Sequence, residues 1–206
     1  MICGRRRGVF AFEAAEFAAK KGRTMKRIKN WLFHPPVSGP KATVLIRWMA
    51  GGVFLWEGIL KFVYTNQGVG RFTKLGIPFP GPTAHFVAVL EIVGGLLLMG
   101  GFLTRVIAIP FVIEMIVAIL STKISLYLGT SPLPLPPAPP KVGIWAVLHE
   151  IRSDYAQLLS VLFLGIAGPG AWSLDAILAA RRRASTTAAI GLSNRALRAD
   201  ELRLAR

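Results

Sequence analysis

Four apolar stretches, each close to the length of a bilayer crossing, constrain this chain more than anything else in it. They run over Thr43–Tyr64, about Ala84–Thr104, about Val106–Leu128 and about His149–Ala167. A helix needs roughly 20 predominantly apolar residues to cross a hydrocarbon core. A water-soluble bundle of four helices would need a charged outer face on each of them, and these segments lack one. The expected fold is therefore an all-α membrane protein: a bundle of four transmembrane helices. The 53% hydrophobic content of the 206 residues agrees with that class.

Charge sorts to the ends. Of 25 lysines and arginines, ten lie within residues 1–41 and seven within residues 179–206, against ten acids in the whole chain. So basic a chain could bind nucleic acid, but tail charge on a membrane protein follows from the orientation rule, and no nucleic-acid partner is expected. Between the spans the basic residues are few: Arg71 and Lys74 in the first loop, Arg105 in the second, Lys141 in the third. The positive-inside rule places both termini and the Arg105 turn in the cytoplasm, and an even number of spans agrees. Three regions follow: a basic tail over 1–41, a membrane domain over 42–178 and a second basic tail over 179–206.

The remaining features set limits. A lone cysteine, Cys3, gives neither an internal disulfide nor a CxxC redox pair. His34, His85 and His149 have no metal-ligand spacing, so no metal site is expected. GVFAFEAAEFAA follows three arginines but is interrupted by Glu13 and Glu16, and reads poorly as a signal-peptide core. Met25 opens MKRIKNWLF, a basic lead into a first span, with residues 1–24 read as an upstream extension. SPLPLPPAPP (131–140) carries six prolines in ten residues and reads as a stiff polyproline spacer. GPG at 168–170 halts the fourth span. Ser173 then caps WSLDAILAARRR, expected to be a short amphipathic helix at the membrane surface, with Asp175 in its first turn and Arg181–Arg183 in its last.

Inside the spans, polar residues share faces at 100° per residue. In the first, Arg47, Gly51, Phe54, Glu57, Gly58 and Lys61 lie together, opposite Leu45, Met49, Trp56, Ile59, Leu60 and Val63. Glu57 and Lys61, four apart with the acid first, have the favourable order for an ion pair. In the second, Glu91 shares its face with Ala84, Gly94, Gly95, Phe102 and Arg105; the small residues invite a close helix neighbour. In the third, Pro110, Glu114, Ala118, Ser121 and Ser125 align, while Lys123 points away and is expected to snorkel to the headgroups. The fourth has a weaker stripe of Ser153, Ala156, Gln157, Ser160 and Ala167. By depth, Glu57, Lys61 and Glu91 fall in the outer half, Glu114 near the middle, and Arg47, Arg105 and Asp175 at the inner rim. Intramembrane ionisable groups usually face the bundle interior and mark function; a polar network that fixes helix register is the competing account. The three rim charges favour the structural role. Glu91 and Glu114 favour the functional one.

The order of these features resembles the DoxX/DoxD-like family of small four-helix membrane proteins. The resemblance rests on Arg47 and Gly58-Ile59-Leu60-Lys61 in the first span, and on GIPFPGP (76–82) before a second span with Glu91 and a double glycine. It continues with Leu103-Thr104-Arg105, with Glu114-Met115, and with GPG followed by Ser173-Leu174-Asp175. It covers about residues 42–178. The resemblance implies an inner-membrane protein, with some relatives serving as subunits of quinone-linked oxidoreductases. On it rests the leading expectation: a subunit of a quinone-linked redox complex, in which Glu57, Glu91 and Glu114 handle protons and Lys61 is the counter-charge. Quinone is the only cofactor-like molecule implied. At most the chain is a membrane subunit of an oxidoreductase, since it has no flavin or nucleotide fingerprint. The expected partners are the bilayer, soluble or membrane redox subunits, and a second copy of the chain. A small-solute or ion transporter and a non-catalytic scaffold are the alternatives.

Overall fold

A computed structural model describes residues 17, 20–33, 37 and 39–204. Cys3, His34 and the tract around Glu13 and Glu16 lie outside the described residues. The described residues are helical with no strand. Residues up to Pro35 form a unit of their own. Its helix α1 (20–33) carries six cations and is exposed except at half-buried Leu32. The second unit starts at Pro36. It contains α2 (Thr43–Val63), α3 (Val69–Lys74), α4 (Pro80–Gly100), α5 (Thr104–Leu128), α6 (Ile144–Ala167) and α7 (Leu174–Leu204).

Three of these, α2, α4 and α5, are long and apolar enough to cross a membrane. Their outward faces carry Leu45, Trp56 and Val63 on α2, Val93 and Leu96 on α4, and Ile116, Leu120 and Ile124 on α5, all exposed. α6 has the length, but Glu150, Arg152 and Asp154 crowd its first half. It also starts five residues earlier than His149, because Gly143 ends the proline-rich loop and IWAVL continues the helix with no breaker.

Local signals set the boundaries. Pro80 opens α4 at a position where its missing N–H costs nothing. Gly101, at φ +67°, closes α4: its N–H donates to the Leu98 carbonyl at 3.0 Å and the Phe102 N–H donates to Leu97 at 2.9 Å. That paired arrangement satisfies helix-end carbonyls and needs a left-handed residue. The loop before α4 holds the six-residue α3, whose buried Phe72 folds it down onto the body of the protein.

The C-terminal region corrects an expectation. Ser173 does cap, its Oγ accepting the Ala176 N–H at 3.1 Å. The helix it starts is not short, however, but spans 31 residues. Past Arg183 the sequence is rich in alanine, leucine and arginine with no proline, and such residues carry little helix penalty. Ser173→Ala is expected to cost about 1 kcal/mol, read as a lowered thermal midpoint in mild detergent.

The long helices pack as two pairs, α2 along α4 and α5 along α6, and the pairs touch each other little. Glycine allows the first pairing. A Cβ on Gly95 would lie 2.6 Å from the Gly51 carbonyl oxygen, and a Cβ on Gly51 would lie 2.6 Å from that of Gly95. The pairs join at one level. Phe54 of α2 stacks on Phe111 of α5 with ring centroids 3.7 Å apart and planes 8° from parallel. Beside them, Gln157 of α6 donates from Nε2 to the Ala50 carbonyl at 3.1 Å. Ala50, Leu98, Met115, Val161 and Leu164 complete this core.

Candidate functional site

Two polar centres flank that core. At one end, Arg47 is 2% exposed and donates to the Pro169 carbonyl at 2.8 Å and the Trp172 carbonyl at 2.5 Å. Arg105 donates to the Ile166 carbonyl at 2.7 Å. Asp175 works in both directions: its Oδ1 accepts the Leu103 N–H at 3.3 Å, and its own N–H donates to the Gly101 carbonyl at 3.1 Å. Leu103 has a left-handed backbone (φ 51°), so this bond holds a turn that leucine seldom adopts. Burial pushes the Asp175 carboxyl above its ordinary value. The backbone N–H groups of Leu103 and Thr104 and the Arg47 and Arg182 charges act the other way. The three residues thus tie the start of α2, the α4–α5 turn and the start of α7 to the GPG tract. These hydrogen bonds all run to main-chain groups, as in a clasp.

On the other side of the core the two helix pairs separate and leave a cleft of about 670 Å³. Its deepest polar feature is an ion pair between helices: the Lys61 ammonium donates to both oxygens of Glu91, at 2.8 and 2.6 Å. Glu91 is 2% exposed. Glu114 stands next to them, sharing a side-chain hydrogen bond with Glu91 and in electrostatic range of Lys61, while its Oε2 is buried with no hydrogen-bond partner. Glu57 lines the same cleft but is exposed. The three acids expected to handle protons and Lys61, their expected counter-charge, therefore border one space.

The pairing inside it differs from the expectation. Lys61 bonds Glu91 across to α4, not Glu57 on its own helix. A buried carboxylate without a cation is far more costly than an exposed one, so the lysine goes where desolvation is greatest. Lys123 also departs from the reading. It turns inward to Asp154 of α6, with Nζ 3.5 Å from Oδ2 and a half-buried side chain, rather than toward headgroups. The stripe on α6 is shifted as well: Gln157 and Ser160 are buried, whereas Ser153 and Ala156 are exposed. The buried line is instead Gln157, Val161 and Leu164, with half-buried Asp154 above it. That 154–157–161–164 spacing is a heptad seam and could have been read from the sequence. Arg71 and Gln67, which also line the cleft, could not, since they arrive through the fold of α3. His85 lies against Phe62, ring centroids 5.5 Å apart, and no cluster of metal-ligating side chains forms among the described residues.

Comparison with known proteins agrees with the helical pattern. The DoxX family model matches residues 42–124. An uncharacterized membrane protein of Mycobacterium tuberculosis, Rv3486, is 41% identical over 152 residues, covering 71% of this chain and 86% of its relative. The chain belongs to the DoxX family. This DoxX protein is thus a membrane protein whose apolar helix faces contact lipid. A more distant relative, named "Putative oxidoreductase CatD", from Bacillus subtilis, is 26% identical over 133 residues, or 65% of this chain and 84% of its own. No solved structure gives a significant match.

Proposed function

We propose that this DoxX protein is the membrane subunit of a quinone-linked redox complex, and that the cleft between its helix pairs is the quinone site. The observation that carries the reading is the composition of the cleft. It is mostly apolar and has the volume of typical small-molecule sites, yet Lys61, Glu91 and Glu114 stand together inside it. Quinone reduction consumes two electrons and two protons, and a buried carboxyl within reach of the ring can pass a proton to it. Lys61 holds Glu91 in place, and Glu114, hydrogen-bonded to Glu91 but with its Oε2 unpaired, is the group that meets the substrate. Glu57 at the cleft edge supplies the way to water. Electrons come from a partner redox subunit, because this chain has one cysteine and no redox pair of its own. The oxidoreductase name of the CatD relative supports the same class of chemistry.

In this reading α6 is a fourth span. Its lower half shows Leu159, Leu162, Phe163 and Ile166 to lipid, and of its charges Asp154 lines the cleft. Both termini then lie on the cytoplasmic side of the inner membrane, where α7 with Arg181–Arg183 follows the clasp.

Glu114→Gln and Glu91→Gln are each expected to lower quinone-linked electron flow in native membrane vesicles by about 100-fold, within the range for a lost proton-transfer group. The amount of protein, followed by immunoblot, should be unchanged for Glu114→Gln. Unchanged electron flow in both variants overturns the assignment, and counterflow uptake of a solute by proteoliposomes would replace it with transport.

A further inference from the structure

The cleft has two sides of opposite chemistry. The helices form a ring in which α2 grips α4 and α5 grips α6, so two loose seams remain: α4 to α5, and α6 to α2. Along the first seam, the lining residues that also reach the protein surface are Phe86, Ile113 and Val117, which are 68%, 58% and 52% exposed. Along the second they are Glu57 and Ser153, with half-buried Asp154. Apolar side chains are at home against lipid, whereas an exposed carboxylate at membrane depth needs water or a polar partner.

The head end of the cleft is equally specific. An ammonium has three donors. Two of those of Lys61 go to Glu91, leaving a third. Glu114 Oε2 has no hydrogen-bond partner, and once Glu114 has given its proton to the ring this oxygen is an acceptor without a donor. A single hydroxyl satisfies both, accepting from the lysine and donating to the carboxyl, whereas a bare carbonyl can only accept.

We infer that the cleft takes a lipid-dissolved molecule with a hydroxyl-bearing head, which enters sideways from the bilayer through the α4–α5 seam, while the α6–α2 seam serves protons and water. This rests on the quinone-site reading and deepens it: the form held by Lys61 and Glu114 is the quinol, and its tail lies between Phe86, Ile113 and Val117. The rest of the cleft supports the direction of entry. The Phe54–Phe111 stack and the Gln157–Ala50 bond close its floor, and α3 with Arg71 and Phe72 borders its far end.

The test uses the full chain in lipid nanodiscs with two probes kept reduced: a benzoquinol with a decyl tail ending in a photoreactive diazirine, and the same ring with a methyl group in place of the tail. The decyl probe should cross-link to the Phe86, Ile113 and Val117 rim. Val117→Trp, which narrows the seam from a lipid-facing position, should slow uptake of the decyl probe by about tenfold, as an added barrier on the entry route does, and leave the methyl probe unaffected. Phe86→Ala should speed uptake of the decyl probe. Cross-links confined to the Glu57 and Ser153 side, or decyl uptake indifferent to both variants, would overturn lateral entry while leaving the quinone site standing. Failure of the parent protein to bind either probe would remove the site itself, and this inference with it.

Discussion

Lys61→Met should destabilise the protein by about 3–5 kcal/mol, the usual cost of removing one member of a buried ion pair. The reason lies in Glu91. Its carboxylate is 2% exposed and each of its oxygens accepts a bond from the Lys61 ammonium. Without the ammonium the carboxylate has lost its solvent and its cation together. Exposed Glu57 cannot compensate, and Glu114, another acid, brings no positive charge. The expected result is a sharply lower unfolding midpoint in mild detergent. The double variant Lys61→Met/Glu91→Leu should regain most of the loss, since well-packed apolar pairs often replace buried ion pairs at no net cost. The midpoint separates the two accounts of this cluster. If Lys61→Met melts with the parent protein, the pair contributes nothing to the fold and its position on the cleft is purely functional.

Gly95→Val should be as damaging, for a reason of shape alone. The added Cβ would meet the Gly51 carbonyl oxygen at 2.6 Å and the Leu55 nitrogen at 3.0 Å. Both are backbone atoms of α2, so no side chain can swing aside and the helices themselves must part. Overpacking of a tight contact costs about 1–3 kcal/mol when neighbours can give, and here they cannot. The variant is expected to lose its single peak in size-exclusion chromatography. Gly81→Ala, where an added Cβ has no neighbour within 4 Å, is the control and should elute like the parent. A monodisperse Gly95→Val protein with an unchanged melting curve would mean that α2 and α4 do not pack at this distance.

Much of the site was legible because helical periodicity is a local property. The 3.6-residue repeat alone brings Arg47, Gly51, Phe54, Gly58 and Lys61 to one side of α2, and all of them are buried or half-buried. It likewise brings Glu91 together with Gly94 and Gly95, and directs Glu114, Ala118 and Ser121 toward one space. Partner choice was not legible. Glu57 and Lys61 have the spacing of a helix ion pair, but spacing says nothing about how deeply each acid is desolvated, and that difference sends Lys61 to Glu91. Lys123 failed for the same reason: its wheel position points away from Glu114, and only the proximity of α6 supplies Asp154. α3 was missed because its six residues are too few for a periodic signal; what holds them is burial of Phe72.

By itself, the sequence determined what depends on neighbours along the chain: apolar helices of membrane length, the break at Pro169, the cap at Ser173, and the faces on which Glu91 and Glu114 stand. The tertiary structure alone decided which of those faces meet. Gly51 and Gly95 let α2 and α4 close until backbone touches backbone, while α4 and α5 diverge. The unequal closeness opens a cleft beside the Phe54–Phe111 stack and leaves one oxygen of Glu114, Oε2, there without a hydrogen-bond partner. Contacts between residues 30 to 125 positions apart have no counterpart in local periodicity, because they depend on how far the helices can approach, and that is set by the packing of the whole bundle.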